Sequence, residues 1–172
     1  MKNFILMLVL TLSFPVLSQQ QPVNVCRQDP HFKDWDFWIG NWDVYDNTSG
    51  KKAGTNLIIK TEDGCTIKEH WTNGIGGKGF SMNYYNPLSQ KWRQIWVSGP
   101  GYLIDYQGGL NASGAMVLEG HIEYYGTGVK QPFRGTWSQY KNGDVRQFFE
   151  VKTKEGVWTV WFDGRYTRRS TP

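Results

Sequence analysis

Cysteine, histidine and long apolar runs are scarce in this 172-residue chain. Two cysteines, Cys26 and Cys65, are too few to build a zinc site. The only histidines are His31, His70 and His121. No Ser/His/Asp order, Cys/His pair or nucleophile-elbow serine suggests acyl transfer. Beyond residue 18 no apolar stretch approaches the length of a membrane-spanning helix, so no transmembrane segment is expected. The net charge is only +4, and the one basic cluster, Arg165, Arg168 and Arg169, lacks a second basic face. Nucleic acid is therefore not an expected partner.

Aromatic residues and glycine are what the chain has in quantity: 9 Trp, 9 Tyr, 9 Phe and 20 Gly. Rings and glycine are poor helix material but suit strands and the tight turns between them. That balance excludes a helical bundle, a doubly wound nucleotide fold and a disordered chain. The length suits one domain with a sizeable core.

The first segment reads as a cleaved secretory signal. Lys2 supplies a positive start, Phe4 to Leu17 is uncharged and apolar, and Val16-Leu17-Ser18 offers small residues for cleavage near Gln19. Residues 1–18 are thus expected to be the signal, 19–35 an N-terminal arm and 36–169 the folded domain, in the periplasm or secreted. In such a compartment Cys26 and Cys65 can oxidise to a bridge between the arm and the third strand. On the chain-entropy model the bridge stabilises by roughly 3–4 kcal/mol.

From Asp36 onward short aromatic or β-branched runs alternate with turns. Strands are expected near 36–46, 54–61, 65–72, 79–86, 91–98, 102–109, 115–124, 129–140, 144–153 and 157–168. Asp63-Gly64 and Asn142-Gly143 suit two-residue hairpins, and Gly99-Pro100-Gly101 breaks a ladder. Short connections make consecutive strands antiparallel neighbours. An unbroken meander of ten leaves two edges unless it closes, so the expected fold is all-β, a single up-and-down antiparallel barrel. A turn around Asp29 to Trp35 is placed to plug one mouth.

Alternation then assigns faces. Cys65, Ile67, Glu69 and Trp71 share the inward face of the third strand, against Thr66, Lys68 and His70. Trp92, Gln94 and Trp96 point in from the fifth strand and Met116, Leu118 and Ile122 from the seventh, while in the ninth Val145, Gln147, Phe149 and Val151 oppose Arg146, Phe148, Glu150 and Lys152 with the parity open. The fourth strand leaves two choices, Phe80, Met82 and Tyr84 as core, or Ser81, Asn83 and Tyr85 lining a wet cavity. The tenth is apolar on both faces, with Trp158, Val160 and Phe162 against Trp161. Amides and a carboxylate among rings favour a cavity over a filled core, because an unpaired buried polar atom costs about 1–3 kcal/mol.

Asp36-Phe37-Trp38-Ile39-Gly40-Asn41-Trp42-Asp43-Val44 is a specific opening, and Trp92-Arg93-Gln94-Ile95-Trp96 a specific internal motif. Together with Asp63-Gly64-Cys65, Val145-Arg146-Gln147 and Phe162-Asp163-Gly164, this pattern resembles a bacterial family of exported lipocalin-like (calycin-type) barrels of unknown function. The resemblance covers nearly all of the chain after the signal and implies a barrel like that of lipocalins and fatty-acid-binding proteins. It also implies export, but no activity. Calycins place Gly-x-Trp at the first strand with a basic residue over the Trp, which here implies barrel closure by Trp42 with Arg168 or Arg165. Some related ten-stranded barrels bind haem through a histidine. Here His31 lies in the arm and alternation sends His70 and His121 outward, so no cofactor is expected.

Three functions follow from these residues. In the first, a small hydrophobic or aromatic molecule binds inside the barrel. Trp71, Trp92 and Trp96 stack on it, and Glu69, Gln94 and Gln147, with Asn83 and Tyr85, orient it. In the second, an isomerase or hydrolase on the same scaffold uses Glu69 as acid or base. The bland alternative holds Glu69 by Gln94, Asn83 or an inward arginine, Arg146 being the basic candidate. In the third, Tyr125, Tyr140 and Trp161 face solvent and stack on envelope glycans. Glu119, His121 and Glu123 share one face but read as a solvated strand opposite Lys130 and Arg134, so no metal is expected.

Overall fold

Alternating rings and β-branched residues dictate strands, and glycine-bearing turns reverse them. In the computed structural model, which describes residues 23–169, ten such strands close on themselves. They are β1 (Gly40–Asp46), β2 (Lys52–Thr61), β3 (Thr66–Asn73), β4 (Lys78–Asn86) and β5 (Lys91–Ser98). The second half comprises β6 (Tyr102–Leu110), β7 (Met116–Tyr124), β8 (Lys130–Gln139), β9 (Val145–Lys152) and β10 (Trp158–Arg168). Each strand pairs antiparallel with its sequence neighbours, and β1 closes the barrel on β10 from Trp42↔Arg168 to Asp46↔Gly164. Closure removes both edges, as the unbroken meander requires. The expected signal at 1–18 lies outside the described residues.

The first strand begins at Gly40 rather than at residue 36, because Asp36–Trp38 coils into a 3₁₀ turn. That turn swings Trp38 into the interior, where its carbonyl accepts a 2.9 Å bond from Trp42 Nε1. Arg168 lies 4.0 Å over the Trp42 ring and donates to Ile39 O at 2.9 Å. A Cβ on Gly40 would collide with that guanidinium, which accounts for glycine two residues before the tryptophan. Asn142-Gly143 sits in a five-residue connection closed by Tyr140 N–H to Asp144 O at 2.8 Å, not in a two-residue hairpin. Asp63-Gly64 likewise belongs to a 3₁₀ turn, Glu62–Gly64, in which Glu62 accepts from Thr61, Thr66 and Lys68.

The arm fills one end of the barrel. A short helix α1 (Val25–Gln28) is joined to the β2–β3 turn by the Cys26–Cys65 disulfide, which spans 39 residues. The chain then turns through Pro30–Lys33 and drives Phe32, Trp35 and Trp38 inward. Trp35 stacks on Trp38 at 5.1 Å and meets Trp137 and Trp92 edge-on at 4.8 and 5.6 Å. Lys60 Nζ ties the plug to β2 through Phe32 O at 2.8 Å and Asp36 Oδ1 at 2.5 Å.

Three open parities resolve, and in β9 Val145, Gln147 and Phe149 are buried while Arg146 faces out. In β4, Ser81, Asn83 and Tyr85 are buried, while Phe80 and Met82 are each 38 % exposed. In β10 the register slips between Val160 and Phe162, a bulge that breaks strict alternation. Val160 is left 62 % exposed, while Trp161 and Phe162 both line the interior. Trp161 is therefore not a solvent-facing platform, although Tyr125 and Tyr140 are exposed.

Candidate functional site

The inward polar residues do not lie scattered among the rings. They form one belt of side-chain hydrogen bonds across successive strands. Glu69 on β3 takes 2.6 Å bonds from Asn56 Nδ2 on β2 and from Ser81 Oγ on β4. Asn83 Nδ2 donates to Ser81 Oγ at 3.0 Å and to Ile67 O at 2.9 Å. Gln94 on β5 donates to Asn83 Oδ1, and the Tyr106 hydroxyl on β6 donates to Gln94 Oε1. On the other flank Asn56 Nδ2 also donates to the Tyr166 hydroxyl at 3.1 Å, and Tyr166 donates to Gln147 Oε1 at 2.6 Å.

Register explains the belt. Glu69 stands opposite Ser81, Asn83 opposite Gln94, and Gln94 opposite Tyr106. Cross-strand neighbours on one face stand about 4.5–5.5 Å apart, within reach of short polar side chains. Asn56 and Tyr166 are 110 residues apart and meet because the barrel closes. The belt satisfies most of its members, but Asn56 Oδ1 has no partner among the described residues.

Glu69 is 2 % exposed, and burial pushes its carboxyl up to about 7, against the bonds from Ser81 and Asn56 that favour the ionised form. Burial, and then the Glu69 charge, hold the Tyr106 and Tyr166 hydroxyls well above the ordinary phenol range. Among the described residues no basic side chain compensates Glu69. Arg146, its candidate partner, points outward into a two-pronged pair with Asp163 at 2.8 and 2.7 Å. Gln94 and Asn83 are likewise not its direct partners, although both belong to the belt.

A raised carboxyl pKa makes stability fall as pH rises. Glu69 contributes no penalty below its unfolded value near 4.5, and the penalty grows until pH passes the folded value near 7. Between pH 5 and 8 the protein is therefore expected to lose about 2–3 kcal/mol through this group. Urea unfolding of the wild type and of Glu69→Gln at those two pH values checks this. Only the wild type should show the loss.

Between the belt and the unplugged end lies a pocket of about 160 Å³. Glu69, Gln94 and Gln147 form its polar side. Trp71, Trp96, Tyr102, Ile104 and Tyr106 line one wall, and Phe149, Trp161, Phe162 and Tyr166 the other. Glycines make room for two of the rings, because a Cβ on Gly54 would meet Trp71 and one on Gly79 would meet Trp96. Trp161 is pinned by its Nε1 bond to the Tyr124 hydroxyl at 3.1 Å and packs edge-on against Tyr102 at 5.5 Å.

Of the residues singled out from sequence, Glu69, Trp71, Gln94, Trp96 and Gln147 converge on this pocket. Asn83 stands behind it in the belt. Trp92 and Tyr85 do not reach it, because the arm occupies their end of the barrel. Trp92 Nε1 donates to His31 O at 3.1 Å, and the Tyr85 ring packs against Phe32 at 5.3 Å. Alternation alone does not single out Asn56, Tyr106 and Tyr166, nor Tyr102, Phe149 and Ile104 as lining. The alternation of Gly54, Asn56 and Ile58 was the available signal for Asn56.

On the outer wall Glu123 accepts from Lys130 at 2.6 Å and Glu119 stands 3.6 Å from Arg134. Among the described residues no three His, Cys, Asp or Glu side chains group closely enough to hold a metal ion. No family model matches the chain and no curated protein matches it, so the case for a function rests on the barrel's own geometry.

Proposed function

We propose that this is an exported, periplasmic or secreted barrel of lipocalin-like type that binds a small, largely apolar or aromatic molecule in its interior. One observation carries the reading: a ring-lined pocket with polar groups on one side only. Binding pockets have this make-up, with apolar walls for affinity and a few polar groups for orientation. The volume near 160 Å³ compares with an engineered cavity of roughly 150 Å³ that takes benzene, so the ligand portion enclosed is about one ring. The disulfide supports an oxidising compartment.

Titration with p-cresol, followed by calorimetry and by tryptophan fluorescence, tests this. The expected dissociation constant is about 0.1–1 mM, typical of a single ring held mainly by burial. Ile104→Phe, which fills the pocket from β6, should abolish binding while the protein stays folded. A wild type that binds no single-ring compound in the millimolar range sinks the reading. A second reading, acid–base catalysis by Glu69, is favoured by its carboxyl standing near 7 beside an accessible pocket. It requires a turnover that Glu69→Gln loses while ligand affinity persists.

A further inference from the structure

Eight of the twelve described residues lining the pocket are aromatic, and the one carboxylic acid among them is Glu69. Among the described residues no lysine, arginine or histidine lines it. The titratable groups facing Glu69 are Tyr102 and Tyr106 from β6 and Tyr166 from β10, all phenols raised by burial and uncharged near neutral pH. From β2 and β4 it meets only the amide of Asn56 and the hydroxyl of Ser81, and Gln147 faces the pocket from β9.

Every strongly placed charge in this space is therefore negative, and so is the quadrupole on each ring face. An anion entering it would meet a carboxylate with no compensating base. A neutral ring would gain burial but nothing from Glu69. A positive ligand gains from both, because ring faces attract it and the buried carboxylate lacks a partner of opposite sign. Asn56 and Ser81 grip both carboxylate oxygens from the belt, which holds the charge in place without neutralising it.

We infer that the pocket selects a small organic cation, of trimethylammonium or single-ring amine size, with Glu69 as its counter-charge. The inference rests on the pocket being a ligand site and adds the sign of the ligand. Its physical consequence is linkage. The cation binds the ionised form of Glu69 and releases a proton on binding when that carboxyl starts protonated.

Choline and its uncharged isostere 3,3-dimethylbutan-1-ol test it, titrated calorimetrically into the protein at pH 6 and pH 8.5. With a carboxyl near 7, about a tenth of Glu69 is ionised at the lower pH and nearly all at the higher. Choline should therefore bind about tenfold more tightly at pH 8.5, while the alcohol shows no such change. At pH 8.5 choline should exceed the alcohol by at least tenfold. At pH 6, runs in two buffers of different ionisation enthalpy should show proton release with choline alone. In Glu69→Gln the two probes should bind alike at both pH values, and the wild-type pH profile decides the matter if that variant does not fold. If the alcohol binds as tightly as choline, the inference is overturned and the pocket reading stands. Failure of both probes, together with p-cresol, overturns both.

Discussion

Trp35→Ala is expected to remove about 3–5 kcal/mol of stability, the largest effect of any single substitution in the plug. Trp35 is fully buried and makes three ring contacts within 5.6 Å, to Trp38, Trp92 and Trp137. Those partners come from the Asp36–Trp38 turn, β5 and β8, so the cavity left behind would lie where three elements meet and cannot collapse by moving one of them. Urea unfolding measures the loss, with Val160→Ala as a control at a 62 % exposed position. The control should change stability by less than about 0.5 kcal/mol. A Trp35→Ala loss of that same size would mean the arm contributes nothing to the fold.

The second large effect concerns the bridge that holds the same plug. Replacing both Cys26 and Cys65 by serine should cost about 3–4 kcal/mol, since the bridge closes a loop spanning 39 residues. Part of that acts through the unfolded chain, which the bridge constrains. The rest acts through the arm, whose other ties include Lys60 to Phe32 O and the Arg27–Asp63 pair at 3.0 Å. The two changes should therefore not be additive. Once the bridge is gone the arm detaches more readily, so Trp35→Ala made in the serine background should cost less than in the wild type. Unfolding midpoints of the four proteins in the cycle check the sign of that coupling.

Much of the barrel is legible in the sequence. The strand positions follow from period-two alternation and turn residues, and β5 runs over 91–98 as expected. Inward placement of Glu69, Gln94 and Gln147 follows from the same period, because each sits in a strand whose neighbours at i±2 are apolar. Alternation stopped being informative where both faces are apolar or both are mixed. In β4 the Ser81 hydroxyl and the Asn83 amide face in and Phe80 faces out, which reverses simple hydropathy because the belt needs their donors and acceptors. In β10 the bulge turns Trp161 and Phe162 to the same side, and no period predicts an extra residue. The placement of Trp92 and Tyr85 outside the pocket depended on which end the arm enters, a contact between residues 61 apart in the case of His31 and Trp92.

By itself, then, the sequence determined the class of fold, the order of its strands, the two cysteines free to pair and a carboxylate among rings. These depend on local periodicity and on the few topologies open to a short-looped meander. Only the tertiary structure decided what the carboxylate meets. Closure of β1 on β10 brings Tyr166 beside Asn56, and Asn56 beside Glu69, so a group expected to lean on Gln94 or an arginine rests on an amide and a hydroxyl. The same closure leaves it without a positive partner, since Arg146 is held outside by Asp163. That charge imbalance is a property of five strands, β3, β5, β6, β9 and β10, lining one space, and no single strand carries it.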